Sequence, residues 1–181
     1  MSKASFADGW VCGVKQVISP NFDERPPGSA IRLVVVHAIS LPPDEFGGTG
    51  VLDFFSNNLD IDAHPYFEQI RGLKVSAHFF IPRRGEWVQL VSCCQRAWHA
   101  GASNWQGLPR CNDFSVGIEL EGSDNVPFAD TQYSALNHLL ELLFANYPIE
   151  AVVGHSDIAP GRKTDPGPFF DWNRVSTPHQ V

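Results

Sequence analysis

The stretch 154–168, G-H-S-D-I-A-P-G-R-K-T-D-P-G-P, constrains this chain more than any other. Its three prolines and three glycines shape a stiff loop that is neither helix nor strand. That loop carries an imidazole (His155), two carboxylates (Asp157 and Asp165) and an ammonium (Lys163). The apolar run 151–153 leads into it and reads as a buried strand ending at His155. Far upstream, the β-branched run 31–36 ends at His37. Two strands that each deliver a histidine as they end, beside a loop carboxylate, point to a metal site of two histidines and one aspartate. Three protein ligands with a water in the fourth position is the catalytic form of a zinc site.

The chain has 181 residues, enough for one domain with a proper core and too few for two comfortable ones. We therefore expect a single domain over 1–181, with a core of about 10–172 and flexible ends. An apolar fraction of 43% is ordinary for a globular protein. A formal charge of −7 argues against general binding to nucleic acid or an anionic membrane, since both need a basic face. No segment reaches the roughly 18 apolar residues that cross a bilayer. The first 17 residues lack the apolar centre of a secretory signal, so the expected location is the cytoplasm. Cys12, Cys93, Cys94 and Cys111 include no C-x-x-C spacing and read as free thiols. No obligate protein partner is inferred.

Along the chain, 21–29 is a charged, proline-rich loop, and 40–50 is a long excursion of the kind that is usually functional. A short helix is expected over 62–70. Strands are expected over 76–81 and 86–91, joined by Pro82-Arg83-Arg84-Gly85 as a hairpin, and over 114–120. Asp130 is the expected N-cap of a helix running to about Asn146. Tyr133, Leu136, Leu139, Leu140, Leu143 and Phe144 fall on its apolar face. The elements mix irregularly, which gives an α/β reading: a mixed central β-sheet flanked by helices.

Of the seven histidines, His37 and His155 stand out because each closes an apolar strand. His138 falls near the polar side of the long helix, His64 before Pro65 at a loop or helix start, and His179 in the tail. His78 lies inside a strand pattern and suits a satisfied core histidine, whereas His99 suits a pocket wall. Asp157 competes with Asp165 for a metal; a turn-forming role bonding nearby backbone is the preferred reading of Asp157, although spacing alone does not decide. Glu119 and Glu121 share a strand face by the period of two. Two such carboxylates usually mark a solvated strand end. Glu119, however, follows apolar Val116-Gly117-Ile118 and is expected to be partly buried, where a carboxyl pKa rises toward that of a general base.

Taken together, these residues resemble the zinc-dependent N-acetylmuramoyl-L-alanine amidases of the amidase-2 family, which includes peptidoglycan recognition proteins and phage amidases. The resemblance rests on Val34-Val35-Val36-His37, on the loop from Ser40 to Gly48 and on Val75-Ser76-Ala77-His78. It continues through Arg96-Ala97-Trp98-His99-Ala100-Gly101, through 110–122 and through the closing loop, so that it spans about 10–172.

The resemblance implies Zn2+ held by His37, His155 and Asp165, with Glu119 and Lys163 as catalytic residues. The implied reaction is hydrolysis of the amide between (1,6-anhydro-)N-acetylmuramic acid and L-alanine in cell-wall recycling, with an anhydromuropeptide as substrate. Trp98 is then a candidate wall for the sugar, and Arg110 a candidate grip on a stem-peptide carboxylate. Two departures stand out. Ala38 follows the first metal histidine where the family leads us to expect asparagine. Lys74 replaces an expected arginine, keeping charge but losing a two-point grip on a carboxylate. The alternative is a metal-free module of the same fold that only binds peptidoglycan fragments; a complete ligand set argues against it.

Overall fold

The computed structural model describes residues 5–176; His179 lies outside them. In chain order the strands are β1 (Phe6–Ala7), β2 (Trp10–Val11), β3 (Lys15–Gln16), β4 (Phe22–Glu24), β5 (Leu33–Ile39) and β6 (Phe79–Ile81). They continue with β7 (Val88–Gln89), β8 (Gln95–Ala97), β9 (Asn104–Trp105), β10 (Leu108–Pro109), β11 (Ser115–Glu121) and β12 (Ala151–Gly154). The helices are α1 (Gly50–Phe55), α2 (Asp130–Asn146) and α3 (His155–Ile158).

The central sheet has the order β12-β5-β11-β6-β7-β3. Neighbours from β12 to β6 are parallel, β6 and β7 form the expected antiparallel pair around 82–85, and β3 runs parallel to β7. This is the mixed sheet expected from the sequence. Its central strands are buried on both faces and read as near-continuous apolar runs for that reason. One face, with Val34, Val36, Val116, Ile118, Leu120 and Val152, packs against Leu136, Leu139, Leu140 and Leu143 of α2. The other carries Leu33, Val35, Ala151 and Val153 against Ala100, Trp105, Cys111 and Ile158. On that second face, at the carboxyl ends of the parallel strands, His37 and Glu119 stand side by side in register.

Several boundaries differ from the local reading. Strand β5 does not end at His37 but runs on to Ile39, because β11 keeps pairing it through Ala38↔Leu120 and Ile39↔Glu121. The strand expected over 76–81 is paired as strand only over Phe79–Ile81. The His78 ring explains this, since its Nδ1 accepts the Gly117 N–H at 3.0 Å in place of a backbone carbonyl. The helix expected over 62–70 splits into 3-10 turns at Ile61–Ala63 and Pro65–Ile70. His64 between them is extended, as a residue before proline prefers, and its side chain caps the second turn. Asp130 is the first helical residue rather than the cap of α2. Gln132 Oε1 instead accepts the Ala129 N–H at 3.0 Å, while Asp130 pairs with Arg174 at 2.7 Å. Phe144, placed on the apolar face by spacing, is 37% exposed near the end of the helix.

A candidate metal centre in a cleft

Each functional side chain is delivered by an element already described. His37 comes from within β5, and His155 opens α3 immediately after β12. Asp165 returns from the proline-rich loop, tied back by its carbonyl to the Ser156 N–H at 2.9 Å. The loop also bonds itself, with the N–H groups of Arg162 and Lys163 both on the Ala159 carbonyl at 3.1 Å. Asp157 accepts the Gly154 N–H at 2.6 Å and so closes the first turn of α3. Among the described residues the group of possible metal ligands is His37, His155 and Asp165.

The distances within that group are short. His37 Nδ1 lies 3.0 Å from His155 Nδ1, and each lies 3.1 Å from Asp165 Oδ2. His155 Nε2 faces the Ala100 carbonyl at 3.1 Å; a carbonyl only accepts, so the ring carries a proton on Nε2 and directs Nδ1 toward His37 and Asp165. Electron-rich atoms held this close repel one another unless a cation or proton sits between them. Two imidazole nitrogens and a carboxylate oxygen are a zinc donor set, and zinc with bonds of about 2.0–2.2 Å fits such a triangle. The residues therefore fit a zinc ion.

The electrostatics agree. Burial holds His37 down to about 4 from its ordinary 6.5, so its ring is neutral and able to ligate at neutral pH. Burial pushes the Asp165 carboxyl upward, but the facing imidazoles of His155 and His37 outweigh it and keep the acid well below the usual carboxylate range. Glu119 behaves in the opposite way. Burial first, and then the negative charge of Asp165, raise its carboxyl well above 4.5, with Lys163 opposing. Its Oε2 is buried without a hydrogen-bond partner. A buried, unpartnered carboxyl beside a three-ligand cluster is equipped to take and return a proton.

These groups open onto a cleft of about 450 Å³. Leu41, Phe54, Tyr66, Ile70, Leu73 and Val75 give it an apolar wall, while Ser123, Asp124, Arg162, Lys163 and Thr164 form the polar side. His99 lines it too, as does Ala38. Three sequence candidates lie elsewhere. Trp98 is half-buried beside Asp23 and not in the cleft lining. Arg110, 77% exposed, pairs with Asp113 at 3.1 Å and lines separate depressions with Pro26. Lys74 borders a small depression that shares Phe54, Ile70 and Leu73 with the cleft. The cause for Arg110 is local: an acidic neighbour three residues on claims the guanidinium. His78 is fully buried and satisfied, Nε2 reaching the Gln95 carbonyl at 3.1 Å.

Two further residues brace the site without having been expected there. Arg162 donates to the carbonyls of Ala100 and Ala102 at 2.7 and 2.6 Å, bracing the carbonyl that also holds His155. Glu121, grouped above with solvated strand ends, is 4% exposed and accepts the backbone N–H groups of Gly47 and Arg83, pinning the 40–50 loop beside the cleft. Its period-two kinship with Glu119 was the available signal, since whatever covers one covers the other.

Comparison with known proteins agrees with this geometry. Residues 27–168 match the family model described as N-acetylmuramoyl-L-alanine amidase. The chain is 53% identical over 168 residues, 92% of its length and 90% of the relative's, to the 1,6-anhydro-N-acetylmuramyl-L-alanine amidase AmpD of Salmonella typhimurium. A crystal structure of an AmpD selenomethionine derivative superposes with a TM-score of 0.91 at 50% identity, covering 94% of this chain and 96% of that one. The amidase AmiD of E. coli, solved with the substrate anhydro-N-acetylmuramic acid-L-Ala-D-gamma-Glu-L-Lys, gives 0.59 at 29% identity over 97% of this chain and 65% of its own. The chain belongs to the N-acetylmuramoyl-L-alanine amidase family and is an amidase of that class.

Proposed function

We propose that the protein is one zinc-dependent amidase domain of the cytoplasm that splits the amide between the lactyl group of 1,6-anhydro-N-acetylmuramic acid and the L-alanine of its stem peptide. The observation that carries this reading is the convergence of His37, His155 and Asp165 within 3.1 Å, beside the unpartnered carboxyl of Glu119. The relatives' named substrates supply the chemical class. Among the described residues no helix is long and apolar enough to cross a membrane.

When bound by the three ligands, zinc supplies a Lewis acid that brings the pKa of a water toward about 7. Glu119 takes the proton of the attacking water as its oxygen bonds to the lactyl carbonyl carbon. As the C–N bond breaks, the same carboxyl hands that proton to the alanine nitrogen, leaving a lactyl acid and a peptide with a free amine. The Lys163 ammonium, which lines the cleft and acts electrostatically on Glu119, offsets negative charge building on the carbonyl oxygen. The apolar wall of the cleft suits the face of the sugar, and Lys74 in the adjoining depression is the candidate contact for a stem-peptide carboxylate. Asp157, committed to the Gly154 N–H, is left out of the ligand set.

The test is incubation with anhydromuropeptides and, separately, with intact sacculus, before and after zinc removal, with products read by mass spectrometry. Release of free stem peptide from anhydromuropeptide, lost on chelation and regained with zinc, is expected. Binding without cleavage would replace the reading with that of a peptidoglycan-fragment-binding module, and cleavage unaffected by metal removal would end the zinc assignment.

A further inference from the structure

His37 is buried, and what its second nitrogen meets is another histidine. His37 Nε2 lies 2.9 Å from His99 Nδ1, and His99 Nε2 lies 3.1 Å from Ser115 Oγ. Ser115 Oγ in turn lies 2.6 Å from the Cys111 carbonyl. The proton count along this chain has one solution. A carbonyl cannot donate, so the single hydroxyl proton of Ser115 goes to Cys111 and its oxygen is left to accept. His99 then carries its proton on Nε2 and presents a bare Nδ1. Facing that bare nitrogen at 2.9 Å, His37 places a proton on Nε2, and in the neutral form of the ring the lone pair of Nδ1 is then aimed between His155 and Asp165.

The intermediate ring is held for this task. The Asn112 side chain accepts the backbone N–H groups of His99 and Ala100 at 3.2 and 2.8 Å. Gly117 of β11 lies against the ring so closely that a Cβ there would come within 2.4 Å of the His99 Cγ. Only glycine lets the imidazole approach the strand at that distance.

We propose that His99 is a positioning residue. Through Ser115 and the Cys111 carbonyl it locks His37 in the Nε2–H tautomer, so that the ligand nitrogen is ready before the ion arrives. This rests on the metal reading above but predicts a property of the metal-free protein as well. Outer partners of ligating histidines typically change metal affinity about 10–100-fold when removed.

The experiment is 15N NMR of the histidine side chains in the metal-free full chain, paired with zinc affinity from competition with a chromophoric chelator. At alkaline pH, where the imidazoles are neutral, the wild type should show His37 protonated only at Nε2. Ser115→Ala frees His99 to move its proton to Nδ1, which forces the His37 proton onto the ligand nitrogen; a population of Nδ1–H and zinc binding weaker by about 10–100-fold are expected. His99→Leu should act likewise. His99→Asn, whose amide oxygen can accept near the Nδ1 position, should restore most of the affinity and the wild-type tautomer. An unchanged tautomer and unchanged zinc affinity in Ser115→Ala overturn the proposal, whether or not His99→Leu folds. So does His99→Asn binding zinc as weakly as His99→Leu. If the wild type takes up no zinc, the metal reading falls, and the NMR result still decides the tautomer lock.

Discussion

Replacing Glu119 by glutamine should stabilise the metal-free protein while disabling it. The carboxyl is 8% exposed, its Oε2 has no partner, and Asp165 lies close enough to oppose its ionisation. Burial raises its folded pKa well above 4.5, so between those two values the folded state binds more protons than the unfolded one. Stability then falls as pH rises from about 4.5 through the folded pKa, and the full penalty applies above it. Glutamine keeps the shape and never ionises. The glutamine amide is unsatisfied as well, so the gain is only the added cost of burying a charge over a neutral polar group, on the order of 1–3 kcal/mol, and for a chain of this size each kcal/mol moves Tm by about 2–4 °C. Glu119→Gln without metal should therefore melt about 2–12 °C above wild type at pH 8 and close to it at pH 4. Saturating zinc should narrow the gap, because a nearby cation favours the carboxylate. Amidase turnover should drop by about 10²–10⁴ with zinc retained, and the residual rate should climb with pH as hydroxide replaces the base. A lower Tm at pH 8, an offset that is the same at pH 4 and pH 8, or near-normal turnover at neutral pH would each refute this account of Glu119.

Alanine at His37, His155 or Asp165 should remove zinc and activity together, whereas Asp157→Ala should keep zinc and lose about 1 kcal/mol with its N-terminal helix bond; metal analysis and chemical denaturation read both. Acid should destabilise the metal-free fold through its buried neutral histidines. His37 is held down to about 4 and His78 to about 3, so the unfolded chain binds more protons as pH falls below about 6.5. Up to about 3 and 5 kcal/mol respectively is lost over that window, and flat denaturation midpoints between pH 7 and pH 4 would contradict it. Zinc should also pass to a chelator faster at low pH. Glu121→Ala leaves the N–H groups of Gly47 and Arg83 without their carboxylate, which should cost about 1.5–3 kcal/mol and speed amide exchange at Gly47. Lys163→Ala should lower kcat by about 10²–10³ with little change in KM and move the acid limb to higher pH, since the ammonium that opposes the rise of the Glu119 pKa is gone; an unchanged acid limb would show that Lys163 does not act on Glu119.

What the sequence determined by itself was local and periodic. The apolar runs around 33–36 and 151–153 read as buried strands, and Leu136, Leu139, Leu140 and Leu143 fall on one helical face that turns to the core. The glycines and prolines of 154–168 pointed to a fixed loop, which holds only from Ala159 on because Gly154 ends β12 and His155–Ile158 winds into α3, and Pro82 to Gly85 pointed to a hairpin. These features are legible because side-chain period and backbone freedom belong to neighbouring residues. The tertiary structure alone decided everything that depends on which strand lies beside which. It carried β5 beyond His37, set Glu119 in register with that histidine and buried Glu121 along with it. It turned Arg110 toward Asp113 and Trp98 toward Asp23, away from the cleft. It also linked His99 to Ser115 and His37, a chain with no motif because its members meet only when β5 and β11 pair and the ring settles on Gly117. A proton's place on His37 is thus set by a carbonyl at Cys111, far along the chain, since hydrogen bonds act over three ångströms of space and not over sequence.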